Sequence, residues 1–154
     1  MGNLIKANHE DSELRTYQLF IEIAQLANKY SDKKLRLHNH LRTATYIALK
    51  SLLNNDGVMS HTKLAELTST RKHNITGLVD RMKKEGLVTT EQSLKDRRLV
   101  PITITDKGSK LFDEATPTYQ DIMQKTMNGI TGSKALELEK LLKVMKSNIE
   151  QQSR

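Results

Sequence analysis

Apolar positions recur every three to four residues along most of this chain, and the places where that rhythm stops mark out its elements. Leu14, Tyr17, Phe20, Ile21, Ala24 and Ala27 fall at helical spacing within residues 12–37, with Ser12 as the expected N-cap. Leu41, Ala44, Ile47 or Ala48, Leu49, Leu52 and Leu53 predict a second helix. It stops at Asn54-Asn55-Asp56-Gly57, a turn cluster with glycine where a left-handed C-cap is expected.

A short third helix starts at Ser60, with Leu64, Ala65 and Leu67 on its apolar side. Lys63 stands where a capping box would carry Glu, so that box is incomplete. After Thr68-Ser69, Ile75, Leu78, Val79 and Met82 repeat at i, i+3, i+4 and i+7, the stripe of a fourth helix that Gly86 ends. The rhythm then shifts to β-branched runs, Leu87-Val88-Thr89-Thr90 and Leu99 to Ile104, around the polar segment Ser93 to Arg98. This predicts a two-stranded hairpin with a basic tip. Pro101 cannot donate to a ladder, which places it on an edge strand.

Helical spacing returns with Leu111, Phe112, Ala115, Tyr119, Ile122 and Met123, interrupted at Pro117, where a continuing helix should kink. Leu136, Leu138, Leu141, Leu142, Met145 and Ile149 stripe a last helix after a break at Asn128-Gly129 and Gly132. These stripes are wide for helices at the ends of a small domain, and they favour burial against a second subunit over an ordinary internal core. The fold class is therefore mainly α with a small β element, a single domain over residues 1–154.

Charge sharpens this picture. The chain carries 25 Lys and Arg against 18 Asp and Glu, a net +7, which favours polyanions such as nucleic acid or an acidic membrane surface. Of that excess, +5 lies between Ser60 and Lys110, on the helix pair and the hairpin. With the apolar stripe of the fourth helix buried, its other side shows Arg71, Lys72, His73, Asn74, Thr76, Gly77, Asp80, Arg81 and Lys84. Arg reads guanine, Asn reads adenine, and Thr and Lys suit base edges or phosphates; Gly77 lets a backbone or sugar approach. Any solvated helix face has a similar composition, so the hairpin matters more. There Asp96 can hold the Arg98 guanidinium by a charge-assisted bond, leaving Arg97 for phosphate, with Lys95 beside them.

No catalytic pattern competes with this. There is no glycine-rich phosphate loop, no His-Glu-x-x-His, no Gly-x-Ser-x-Gly and no cysteine, so the expectation is a protein that is not an enzyme and needs no cofactor. No apolar run approaches the ~20 residues of a spanning helix, and neither a secretory nor a myristoylation signal is present. The expectation is a cytoplasmic protein with no membrane association.

The run from Ser60 to Gly108 resembles the MarR family of bacterial winged-helix transcription regulators. The resemblance rests on Leu64-Ala65, Asn74-Ile-Thr-Gly-Leu-Val-Asp-Arg-Met82, Gly86-Leu87-Val88, Asp96-Arg97-Arg98 and Ile104-Thr105-Asp-Lys-Gly108. Its most distinctive part is the Asp-x-Arg wing followed by a strand and Thr-x-x-Gly. The resemblance implies a winged helix-turn-helix DNA-binding lobe over residues 41–108 and a helical dimerisation region from 10–38 and 109–152. It also implies a homodimer straddling a pseudo-palindromic double-stranded DNA operator as a transcriptional regulator, a repressor in the reading favoured here. The fourth helix would enter the major groove and Arg98 the minor groove, with Arg81 contacting phosphate or bracing the wing. DNA contacts are expected from Ser60, Thr70, Arg71, Lys72, His73, Asn74, Thr76, Gly77, Arg81, Lys84, Lys95, Asp96, Arg97 and Arg98. Where the family often has a basic residue after Gly86-Leu87-Val88, this chain has Thr89-Thr90, one phosphate contact fewer per wing.

Regulators of this type often bind a small aromatic or anionic effector between dimer region and lobe. Arg15, His38, His40 and Tyr46 are the candidates here, each more readily read as a surface residue at a helix end. His38 and His40 have no later His or Cys to complete a zinc site, so no metal is expected. The alternative to a specific regulator is a less specific winged-helix module for nucleic acid or protein, without effector control.

Overall fold

A computed structural model of the chain describes residues 2–68, 72–91 and 100–152, with side chains over 11–68, 74–91 and 100–152. The chain divides into two units, 1–119 and from Gln120 onward.

The first unit begins with α1 (Gly2–Asn39), which starts well before the cap expected at Ser12. No glycine or proline stands between Asn3 and Ser12 to stop a helix, so Ser12 is internal, and its carbonyl accepts the Thr16 hydroxyl at 2.8 Å. The helix ends at His40, whose φ of 53° turns the chain while the amides of His40 and Leu41 reach back to the carbonyls of Arg36 and Leu35.

Helix α2 (Thr43–Leu53) follows without a side-chain cap of its own, since Arg42 occupies the N-cap position. The first amide, that of Thr43, is taken instead by Asp32 Oδ1 of α1 at 2.8 Å, so one helix caps the next. Its C-cap is right-handed Asn54; the left-handed residues come later, at Asp56 and Gly57, where the Gly57 amide returns to the Leu52 carbonyl at 2.9 Å.

Strand β1 (Val58–Met59), helix α3 (His61–Leu67) and helix α4 (Lys72–Lys84) come next. Ser60 caps α3 as its sequence suggests, its Oγ accepting from the Lys63 amide at 3.1 Å; this half of a capping box forms without the reciprocal Glu. Strands β2 (Val88–Thr90) and β3 (Ile102–Ile104) complete a three-stranded antiparallel sheet in the order β1-β3-β2.

This corrects the two-stranded expectation. Val58 and Met59 pair with Thr103 and Ile102, while Val88, Thr89 and Thr90 pair with Ile104, Thr103 and Ile102, so β3 is central. Pro101 is therefore not on an edge strand; it stands immediately before the central one, where its missing N–H costs the ladder nothing.

The core of the lobe is drawn from every element around this sheet. Ala48, Leu49 and Leu52 of α2, Leu64 of α3, the α4 stripe Ile75, Leu78, Val79 and Met82, and Leu87, Val88 and Ile102 form one buried cluster. Helix α5 (Asp106–Thr126) runs through Pro117 without a break; that residue is exposed and costs one backbone bond. Tyr46 of α2 stacks on Phe112 and Tyr119 of α5 at ring separations of 5.0 and 4.4 Å.

In the second unit, a turn with positive φ at Gly129 and Gly132 leads to α6 (Ser133–Gln152). None of the α6 residues is buried, although Leu136, Leu141, Leu142, Val144 and Ile149 lie along it. No helix of the described residues is long and apolar enough to cross a membrane.

Candidate nucleic-acid interface

The buried stripe fixes which way α4 faces. Ile75, Leu78, Val79 and Met82 are at most 4% exposed, so rotation about the helix axis leaves Asn74, Thr76, Gly77, Asp80 and Lys84 on the outer side, all exposed. Asn74, Gly77, Asp80, Arg81 and Lys84 line one shallow open groove along that side. A Cβ at Gly77 would meet nothing within 4 Å, so the helix surface is flat there and open to a close-fitting partner.

Arg81 differs from its neighbours. It is half-buried, and its Nε is enclosed without a hydrogen-bond partner among the described residues. Asp80, in the same groove, introduces a negative charge among the cations. Among the described residues of the groove, Arg81 and Lys84 supply the positive charge and Asn74 an exposed carboxamide.

The C-terminal end of α4 is held unusually well. Gly86 has φ 73°, a left-handed conformation that costs glycine little, and its amide and that of Leu87 bond the Lys83 and Met82 carbonyls at 2.9 Å each. Just beyond Lys84, the last residue of the helix, three carbonyls accept from a distant segment. Lys107 Nζ donates to Glu85 O at 2.7 Å, the Thr105 hydroxyl to Gly86 O at 2.7 Å, and the Thr105 amide to Leu87 O at 3.0 Å. The sequence reading placed no role on Thr105 or Lys107, although both lie in the Thr-x-x-Gly signature; the spacing alone does not reveal which carbonyls they meet.

Other expected site residues fall in several places. Ser60 is exposed at the start of α3 and serves as its cap. Lys72 and His73 lie in the first turn of α4. Thr70, Arg71, Lys95, Asp96, Arg97 and Arg98, including the whole basic tip of the hairpin, lie outside the described residues.

The effector candidates do not gather. Arg15 is exposed and paired with Asp11 one turn away along α1, and His38 is exposed near the end of that helix. His40 forms the chain reversal that ends it. Tyr46 is 3% exposed within the aromatic stack, its hydroxyl 3.3 Å from that of Thr116. Burial pushes the Tyr46 phenol up, so it stays neutral at physiological pH. A small recess lies instead against Asn28, Thr43, Ala44, Ile47 and Thr68, none of them among the four candidates. No group of three or more His, Asp or Glu that could hold a metal occurs among the described residues.

Comparison with known proteins adds an independent line. Residues 44–100 match the model of the MarR family. The HTH-type transcriptional repressor IacR of Pseudomonas putida is 28% identical over 99 residues, 64% of this chain and 59% of that protein. The HTH-type transcriptional regulator YfiV of Bacillus subtilis is 39% identical over 61 residues, 40% of this chain and 38% of that protein. The chain thus spans about half the length of these two curated relatives. Among solved structures, the MarR family regulator Sco3205 of Streptomyces coelicolor, in complex with DNA, superposes with a TM-score of 0.83 at 20% identity. That match covers 90% of this chain and 91% of that one.

Proposed function

From the match of residues 44–100 to the MarR family, we propose that the chain is a transcriptional regulator of that family, a repressor in its simplest form, that binds a pseudo-palindromic DNA operator as a homodimer. The observation that carries this reading is the division of α4 into two sides. One is sealed into the lobe core, and the other offers Asn74, Gly77, Asp80, Arg81 and Lys84 as an open groove, with Thr76 exposed on the same side. A helix held this way enters the major groove with its polar side leading, Asn74 towards a base edge and Lys84 towards phosphate. The enclosed Nε of Arg81 suits it to a bracing role, and the family resemblance assigns Arg98, outside the described residues, to the minor groove and Asp96 to holding it. Ser60, Thr70, Arg71, Lys72, His73, Lys95 and Arg97 are assigned to the surrounding phosphates.

Dimerisation follows from the apolar side chains left over. Leu14, Tyr17, Leu19, Ile23 and Leu26 of α1, and Leu136, Leu141, Val144 and Ile149 of α6, are each at least half exposed. Exposed apolar stripes of this kind support an association surface. Two copies double the phosphate contacts and set two reading helices about one turn of DNA apart, roughly 34 Å. A small aromatic or anionic effector would act by favouring one spacing of the lobes over the other, with exposed Arg15, His38 and His40 as its candidate contacts; Tyr46 is committed to packing.

Genomic DNA fragments retained by the purified protein test this reading. A palindromic site held against random DNA by roughly a thousandfold is the expected result. Uniform affinity across fragments would overturn it in favour of a non-specific winged-helix module.

A further inference from the structure

The Thr-x-x-Gly segment lies away from the open side of α4, yet it makes the most concentrated set of contacts to the end of that helix. A helix leaves its last four carbonyls without internal partners. In α4 the left-handed turn at Gly86 satisfies those of Met82 and Lys83. Just past the helix, the carbonyls of Glu85, Gly86 and Leu87 all accept from one short stretch, Thr105 to Lys107.

That stretch is itself fixed. The Thr105 hydroxyl, besides donating to Gly86 O, accepts the Gly108 amide at 3.1 Å and so caps α5. Gly108 lies so close to the strand entry that a Cβ there would stand 2.3 Å from Leu87 O and 2.9 Å from Ile104 Cγ1. The Lys107 stem crosses Gly86, with Cδ 3.7 Å from where a Cβ on that glycine would be, and brings a full positive charge to the negative end of the α4 dipole. Four residues beyond Gly108, Phe112 stacks on Tyr46 of α2.

From this geometry we infer that Thr105, Lys107 and Gly108 are positioning residues for DNA reading: they weld the first turn of α5 to the end of α4 and fix the angle at which α4 meets DNA. Lys107 thus spends its charge on the protein's own backbone rather than on phosphate. The inference rests on the proposed DNA-binding function, and its test separates the two.

The experiment compares wild type, Lys107→Met and Lys107→Arg by amide hydrogen exchange without DNA and by operator affinity over a range of salt. Exchange at Gly86 and Leu87 should quicken about tenfold in Lys107→Met, the size expected for one lost hydrogen bond, and recover in Lys107→Arg. Operator affinity should fall by a similar factor while the slope of log K against log salt stays as in wild type. A phosphate contact predicts otherwise: the slope would become shallower by about 0.9 for each Lys107 removed, and that result would overturn the inference. Unchanged exchange would overturn it as well. Wild-type protein that prefers no DNA sequence would refute the regulatory reading, while the exchange measurement would still decide whether the joint exists.

Discussion

Leu49, Leu64 and Met82 of the lobe are fully enclosed, whereas Leu26 of α1 and Leu136 and Leu141 of α6 are more than half exposed. Both regions are rich in leucine at helical spacing, so composition does not separate them. The lobe brings three helices and a three-stranded sheet around one cluster, and each stripe meets another. The long helices have stripes of the same kind that their own chain leaves largely uncovered. The lobe thus covers its own apolar stripes, and the exposed stripes of α1 and α6 are what the proposed homodimer would cover.

The largest effect expected from breaking this contrast comes from Leu142→Glu combined with Ile149→Glu. Light scattering should show a monomer at micromolar concentration, with operator binding lost and the lobe still folded by circular dichroism. A dimer surviving both changes would remove α6 from the interface. Next comes Met82→Ala in the lobe, which should cost about 2–5 kcal/mol of unfolding free energy through a cavity the core cannot refill. Urea denaturation should show that loss at every protein concentration, whereas the stability lost by the α6 variant depends on concentration.

Asn74→Ala should cost about 1–3 kcal/mol in operator affinity, with relaxed preference at one base pair of each half-site and no change in thermal stability. Competition binding against single-base operator variants measures this; equal weakening on all of them would make Asn74 a backbone contact. Arg98→Ala should weaken binding most where the flanks are A·T-rich, since a narrow minor groove attracts arginine.

The smallest effect concerns the contact where the two kinds of region meet. Partial burial alone would push the Asp32 carboxyl up, but the Thr43 amide and the Arg36 guanidinium outweigh it and hold the carboxyl below the usual range. A depressed value means that the stabilisation is present above the ordinary carboxylate pKa and fades as pH falls through the folded one. Asp32→Ala should therefore cost about 1 kcal/mol at neutral pH, as for loss of a helix cap, and the gap to wild type should close below about pH 4. Thermal melts of both proteins across that range check the sign; a gap that widens in acid would show that the carboxylate is not the stabilising form.

Much of the lobe was legible from residue order. The stripe Ile75, Leu78, Val79, Met82 fixed both the existence of α4 and its outward side, and the glycine at 86 fixed its end, because helix periodicity and left-handed glycine are local properties. The Ser60 cap was legible for the same reason. Val58–Met59 was not, since two residues carry no period; missing that strand put Pro101 on an edge. The early start of α1 was hidden because Ser12 has the chemistry of a cap, and only the continuing backbone shows that it is not used as one.

The sequence by itself determined the helix order, the polar side of α4 and the family signature, since these depend on residue types at short spacing. Only the tertiary structure decided that Asp32 caps α2, that Tyr46 stacks on Phe112 and Tyr119, and that Thr105 and Lys107 close the end of α4. Each of these is a bond between residues eleven or more positions apart, and such pairings are set by how helices and strands pack, which no local pattern encodes.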